Sequence, residues 1–232
     1  SDHPALVKAG EWILSKQVVK KGDWIVKNPH TEPGGWAFEF YNELYPDCDD
    51  TAEILIFLDR VNLPDYHRKL KDSERALSWL LSMQSKAGGW GAFDIDNDQD
   101  LLNQVPFADH GAMLDPPTAD VSGRVLWMLG RIGFNRDHKQ VRQVIDFIKS
   151  KQEVNGSWWG RWGVNYIYGT WLALFGLRSI GEDMSQPFIH RAVSWYEEKQ
   201  NEDGGWGETC GSYTDPLQAG KGKSTVSQTA WA

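Results

Sequence analysis

Along this chain an aromatic residue is followed five positions later by Gln, and within a few residues by Gly-x-Trp. Three copies are regular: Trp79 through Gln84 to Gly88-Gly89-Trp90, Phe147 through Gln152 to Gly156-Ser157-Trp158, and Trp195 through Gln200 to Gly204-Gly205-Trp206. A fourth is read from Trp12 through Gln17 to Gly22-Asp23-Trp24. Such self-similarity commits a chain to stacking one supersecondary unit on the next. The spacing predicts an amphipathic helix ending at Gln, a glycine turn permitting positive φ, and a Trp packed near that Gln at the next helix terminus.

The segments after the turns read as helices of a different kind. Thr51 to Leu58, Asp120 to Leu129 and Tyr168 to Leu174 are apolar almost all round, as helices buried on both sides should be. They alternate with helices carrying more charge, such as Ser73 to Leu80. Inner apolar helices alternating with outer amphipathic ones predict an all-α fold, an α/α barrel of two concentric helix layers. No stretch alternates polar and apolar residues long enough to argue for a sheet.

One inner helix opens on an acidic run, Asp47-Cys48-Asp49-Asp50-Thr51-Ala52-Glu53, shortly after Gly34-Gly35-Trp36-Ala37-Phe38-Glu39-Phe40. Two readings stand on these letters. Aspartates are common at a solvated helix N-terminus, where they cap free N–H groups and meet the helix dipole. Alternatively, desolvation and like charge keep one of them protonated. Holding a carboxyl of ordinary pKa about 3.9 neutral at pH 7 takes about 4 kcal/mol, which burial beside other carboxylates can supply. Such perturbed acids mark reactive sites.

Composition removes several classes of function. The net charge of −8, with no basic stripe, argues against nucleic acid as a partner. Cys48 and Cys210 give neither metal-ligand spacing nor a disulfide framework, which points to a reducing compartment. No run of 18 apolar residues is present, and no signal peptide is read, so peripheral attachment is the open route to a membrane. The chain starts without Met and stops at Gln228-Thr229-Ala230-Trp231-Ala232, which looks like the opening of another helix. The expectation is therefore one partial α/α-barrel catalytic domain over 1–232, with a second barrel and the C-terminal end lying outside it.

Four strings together resemble the squalene-hopene cyclases of the triterpene cyclase family. They are Tyr45 to Ala52, Asp115-Pro116-Pro117, Gly160-Arg161-Trp162-Gly163-Val164-Asn165-Tyr166, and Ala219 to Thr225 with Ser227 to Trp231. The Gln-to-Trp repeats resemble that family's QW motifs, and the acidic run its D-x-D-D motif. The resemblance implies protonation of a terminal alkene of squalene, or of a similar polyprene, and closure of the chain to hopene or hopanol. By matching positions it assigns Asp49 as proton donor, flanked by Asp47 and Asp50. Phe38, Phe93 and Trp162 would face the carbocations, which aromatic rings stabilise without offering a lone pair. Tyr168 would join a water-linked network that reprotonates the acid, and Phe107 with Ala108 would line the substrate entrance. Ordinary core packing is the other reading of each aromatic taken singly.

The type member carries a His paired with the catalytic Asp where this chain has Arg124, and a Tyr is usual at Phe93. Arg124 stays charged, so it would stabilise the carboxylate left behind, with Asp120, Asp47 or Asp50 as the anions that balance it. No cofactor and no metal are implied. The expected partners are the polyprene, a membrane surface at the cytoplasmic face, and, as a further candidate, a second copy of the protein. Two competing readings remain. Asp49-Asp50-Thr51-Ala52-Glu53 also fits the D-D-x-x-E magnesium pattern of diphosphate-ionising terpene synthases. Asp94 to Asp100 hints at a calcium loop, but Gln99 replaces the turn glycine and Val105 the bidentate Glu, so it reads as a solvated loop. A helical repeat could also be a protein-binding scaffold.

Overall fold

The computed structural model describes residues 1–39, 41–97 and 114–232, arranged as two compact units, Ser1–Pro117 and Thr118–Ala232. The first unit contains α1 (Pro4–Ser15), the two-residue strands β1 (Trp36–Ala37) and β2 (Pro46–Asp47), α2 (Cys48–Arg60) and α3 (Tyr66–Ser82). The second contains α4 (Ala119–Arg131), α5 (Lys139–Ser150), α6 (Tyr166–Ser179), α7 (Pro187–Lys199) and α8 (Val226–Trp231). Short 3-10 turns occupy Asp23–Val26, Cys210–Tyr213 and Pro216–Gln218. Strand pairing among the described residues is confined to the antiparallel β1–β2 ladder and an isolated bridge between Asn97 and Asp115.

The predicted alternation of helix character holds. In α4 and α6 nine residues each are buried, on several faces of the helix. In α5 and α3 the buried residues fall on one side, Val141, Val144, Ile145, Phe147 and Ile148 in α5 and Asp72, Ala76, Trp79 and Leu80 in α3, as outer helices require. α4 packs along α6, and glycines set how closely. A Cβ on Gly123 would lie 2.4 Å from the Leu172 carbonyl oxygen, and one on Gly176 would lie 2.4 Å from the carbonyl oxygen of Gly123. The two backbones touch directly, with no side chain between them.

Side chains bonded to backbone hold each repeat. The amide of Gln84 donates to the Gly88 carbonyl at 2.7 Å, that of Gln152 to Gly156 at 2.8 Å, and that of Gln200 to Gly204 at 2.8 Å. Those three glycines have φ of 97°, 95° and 83°, the left-handed region the turn demands. The Trp closes the joint by donating its indole N–H to the carbonyl four residues before the Gln: Trp90 to Leu80, Trp158 to Ile148 and Trp206 to Tyr196, at 2.7 to 2.8 Å. The residue after each Gln then donates its amide to the residue before each Trp. Each bond is worth about 1 kcal/mol net.

These bonds correct the fourth copy of the repeat. Gln17 donates to Gly34 at 2.7 Å, Val18 donates its amide to Gly35, and the indole of Trp36 donates to Ile13 at 2.8 Å. The joint therefore runs from Gln17 to Gly34-Gly35-Trp36, with the intervening residues looped out. Trp24 is a buried core residue packed edge-on against Trp79. Spacing alone favours the nearer Gly-x-Trp, whereas the hydrogen bonds select the Trp that is preceded directly by the residue accepting from Val18.

A last bond links each joint to the following helix. The amides of Trp36, Trp158 and Trp206 donate to the hydroxyls of Thr51, Thr170 and Thr229, at 2.9, 2.9 and 3.0 Å. Thr51 lies in α2, Thr170 in α6 and Thr229 in α8, so the depth of each helix is fixed relative to its Trp.

Candidate active site

In the first unit the acidic run opens α2. Asp47 ends β2 opposite Trp36 and caps the helix, its carboxylate accepting from the amide of Asp50 at 2.7 Å. It is 5% exposed, and burial, more than the neighbouring Asp50, Asp49 and Asp115, pushes its pKa well above the ordinary 3.8. Asp49 and Asp50, in the first turn, are only partly buried. The run thus combines the two readings of its sequence: Asp47 is a helix cap, and it is also a dry acid. Glu53, one turn further on, is exposed.

The raised value at Asp47 carries a stability consequence. In the unfolded chain Asp47 loses its proton near pH 4, while in the folded protein it keeps the proton to higher pH. Stability is therefore greatest below the unfolded pKa and falls as pH rises towards the folded one. Asp47→Asn keeps an oxygen for the Asp50 amide and removes the ionisation. Denaturant unfolding between pH 4 and 8 should show the variant gaining on the wild type as pH rises, and a pH-independent gap would contradict this origin.

A second buried carboxylate organises the neighbouring loop. Asp115, 5% exposed, accepts from the amides of Ala92 (3.0 Å), Phe93 (2.5 Å) and Asp94 (2.7 Å). Burial also raises its pKa, although these three donors pull the other way. The Ala92 carbonyl in turn accepts from the amide of Cys48, the first residue of α2. Asp115 thereby fixes the turn bearing Phe93, whose ring lies 5.7 Å from that of Tyr45, and ties that turn to the start of the acidic helix. This task is not visible in the sequence, where the one signal at Asp115 is its place before Pro116-Pro117.

Phe38 follows β1 and is 67% exposed, so its ring is not core packing within its unit. With Trp12, Ile13, Trp36, Asp50 and Ile54 it lines a cleft of about 250 Å³. Small-molecule sites are commonly 300 to 1,000 Å³, so this cleft alone does not enclose a long polyprene. Phe107, Ala108 and the residues from Asp98 to Asp100 of the acidic loop lie outside the described residues.

The second unit gathers the remaining predicted residues. Asp120, in the first turn of α4, is fully buried and accepts from the amides of Arg161 (2.8 Å) and Trp162 (3.1 Å). Arg124, one turn on, donates to the Tyr168 hydroxyl at 2.8 Å. A guanidinium has no acceptor, so in this bond the phenol oxygen accepts and its own proton is directed elsewhere. Trp162 is 49% exposed, with the Arg161 guanidinium 5.4 Å from its ring centroid. The Tyr168 ring packs against Trp171 and Trp231.

Among the described residues no three His, Cys, Asp or Glu side chains are gathered as a metal-binding set. The D-D-x-x-E reading of Asp49, Asp50 and Glu53 gains no geometric support. No described helix is long and apolar enough to cross a membrane.

The family model of the squalene-hopene cyclase C-terminal domain matches residues 1–232. The chain belongs to the squalene-hopene cyclase family. It is 49% identical over its whole length to the squalene-hopene cyclase of Alicyclobacillus acidocaldarius, covering 37% of that protein. It is 48% identical to the dammaradiene synthase of Dryopteris crassirhizoma, covering 36%. The chain thus spans little more than a third of the length of these two relatives. Its fold is shared with the type II terpene cyclase MstE of Scytonema, at TM-score 0.63 and 21% identity, over 99% of this chain and 56% of that one. A variant of that cyclase solved with geranylgeranyl dihydroxybenzoate aligns at TM-score 0.64. For a squalene-hopene cyclase family member the fold class is as expected: all-α, built from the helix pairs and joints of an α/α barrel.

Proposed function

We propose that this chain carries the proton-donating part of a squalene-hopene cyclase, which closes squalene into hopene or hopanol. The observation that supports it best is the acidic helix start: three aspartates, one of them dry, with Asp50 lining the same cleft as the exposed ring of Phe38. An alkene is a very weak base, so its protonation needs an undissociated acid in a water-poor setting. In this reading Asp49 delivers the proton, flanked by Asp47 and Asp50. Phe38, Phe93 and Trp162 present π faces to the cations that follow. Arg124 stabilises the carboxylate left behind, Asp120 holds the Trp162 backbone, and Tyr168 relays the returning proton. Phe107 and Ala108 border the entrance. The substrate dissolves in bilayers, so attachment to a membrane surface, at the cytoplasmic face, belongs to the same proposal.

Mass spectrometry of the lipids that the full-length enzyme makes from squalene tests this directly. Pentacyclic products formed equally well in EDTA are the expected result. Turnover that needs both Mg²⁺ and a diphosphate substrate would overturn it. The exposed rings give a finer test. Phe38→Leu and Trp162→Leu keep apolar volume but remove the quadrupole, which is worth about 2 kcal/mol to a desolvated cation. Incompletely cyclised products should appear, with little change in circular dichroism or melting temperature. Variants that unfold with no change of product would mark both rings as packing residues.

A further inference from the structure

The segment from Gly160 to Asn165 carries Trp162 into α6 without regular structure of its own, and distant side chains hold its backbone. Asp120 takes the amides of Arg161 and Trp162. The other end is held by Glu208, which sits in the loop after the third regular joint and is 7% exposed. Its Oε2 accepts from the amides of Asn165 (3.1 Å) and Ile167 (2.9 Å), at the start of α6. The Asn165 side chain does not cap that helix, and its Oδ1 instead accepts from the Gly160 amide at 3.2 Å. Gln228 completes the clamp. Its Oε1 accepts from the Glu208 amide at 2.9 Å, and its Nε2 donates to the carbonyls of Val164 (3.0 Å) and Glu208 (3.2 Å).

A buried carboxylate is an expensive cap, because desolvation opposes its charge and a neutral Ser or Asn would serve the same amides. What it adds is reach across the fold and a charge at the positive end of the helix. Tyr168 follows Ile167 directly, and its ring has no slack. A Cβ on Gly163 would fall 2.2 Å from a Tyr168 ring carbon, while Trp171 and Trp231 pack against the ring. A shift in the first turn of α6 would therefore move the hydroxyl off Arg124 and displace the Trp162 loop.

We infer that Glu208, seconded by Gln228, is a positioning residue of the cyclisation: it sets the Tyr168 hydroxyl and the Trp162 ring without touching substrate. This rests on the cyclase reading of the chain. The test uses full-length enzyme and squalene with Glu208→Asp, which keeps the charge but is one methylene short, and Glu208→Gln, which keeps the reach. Misplacing a site by about 1 Å can cost ~100-fold, so Glu208→Asp should lose ~10- to 100-fold in kcat with KM within ~3-fold. It should also release more incompletely cyclised product, while Glu208→Gln recovers most of the rate. Amide hydrogen exchange gives a readout independent of turnover: Glu208→Asp should speed exchange over residues 160–168 and leave α5 and α7 unchanged. Wild-type product ratios and wild-type protection of 160–168 in Glu208→Asp would overturn the inference. If that variant does not fold, Gln228→Met decides, since it removes the bonds to Val164 and to the Glu208 backbone that seat the carboxylate; an unchanged product ratio with wild-type protection of 160–168 there overturns it equally. Failure of the cyclase reading looks different, as absence of cyclised product from the wild type.

Discussion

Asp49→Asn in the full-length enzyme should yield no cyclised squalene, at a protein fold indistinguishable from wild type. Asn matches Asp in shape but has no acidic proton to give. General acids contribute about 10²- to 10⁴-fold even to reactions with better bases, and an alkene offers no other route. Turnover should therefore fall below ~1% of wild type. The fold should survive because Asp47, not Asp49, caps α2. Product analysis by gas chromatography with mass detection, alongside circular dichroism, checks both halves. Wild-type yield from the variant would remove Asp49 from the mechanism and leave Asp47 as the buried acid to test next.

Gly123→Val should remove a large share of the stability of the second unit. Gly to Ala in a helix ordinarily gains about 1 kcal/mol of propensity. At Gly123 the new Cβ would meet the Leu172 carbonyl oxygen at 2.4 Å, and backbone cannot swing aside as a flexible side chain would. Overpacking of this kind costs about 1–3 kcal/mol, and the two further methyl groups of Val push it to about 3 kcal/mol or more. Since domains are stable by only about 5–15 kcal/mol, the denaturation midpoint should drop visibly. Activity should fall as well, because prising α4 from α6 stretches the bond between Arg124 and Tyr168. A midpoint within error of wild type would mean that the helices separate at little cost.

The helical fold class was legible because its signals are local. Burial all round in α4 and α6 shows as an apolar run, and the joints show as Gln and Gly-x-Trp at fixed spacing. The misread copy failed for the same reason. Nothing near Gln17 says that the chain loops out as far as Pro33 before closing on Trp36, since that choice is made by bonds to Ile13 and Gly35. The acid helix was legible as well, but the division of labour within it was not. Asp47 is the most buried of its three aspartates because it ends a strand paired with Trp36, a fact of tertiary placement. The roles of Asp115 and Glu208 were hidden for a related reason. Each binds backbone amides far away in sequence, 21 to 23 residues for Asp115 and 41 to 43 for Glu208, and no periodicity announces such a bond.

The threonines tied to the joint tryptophans act as a ruler. Thr51 and Thr170 each fix the depth of a helix against its Trp, and the residue two places before each is Asp49 in one helix and Tyr168 in the other. Asp120 stands two places before Ser122, the residue at the corresponding step of α4, and in α8 the same position before Thr229 is filled by Ser227. An ancestral joint copied along the chain would thus have copied an address with it, in the first turn of each helix, that a new side chain inherits ready-made. Chemistry could then diversify by exchange of a single residue at that address, as an acid in one module and a phenol in another, while the scaffold bonds around it stayed as they were.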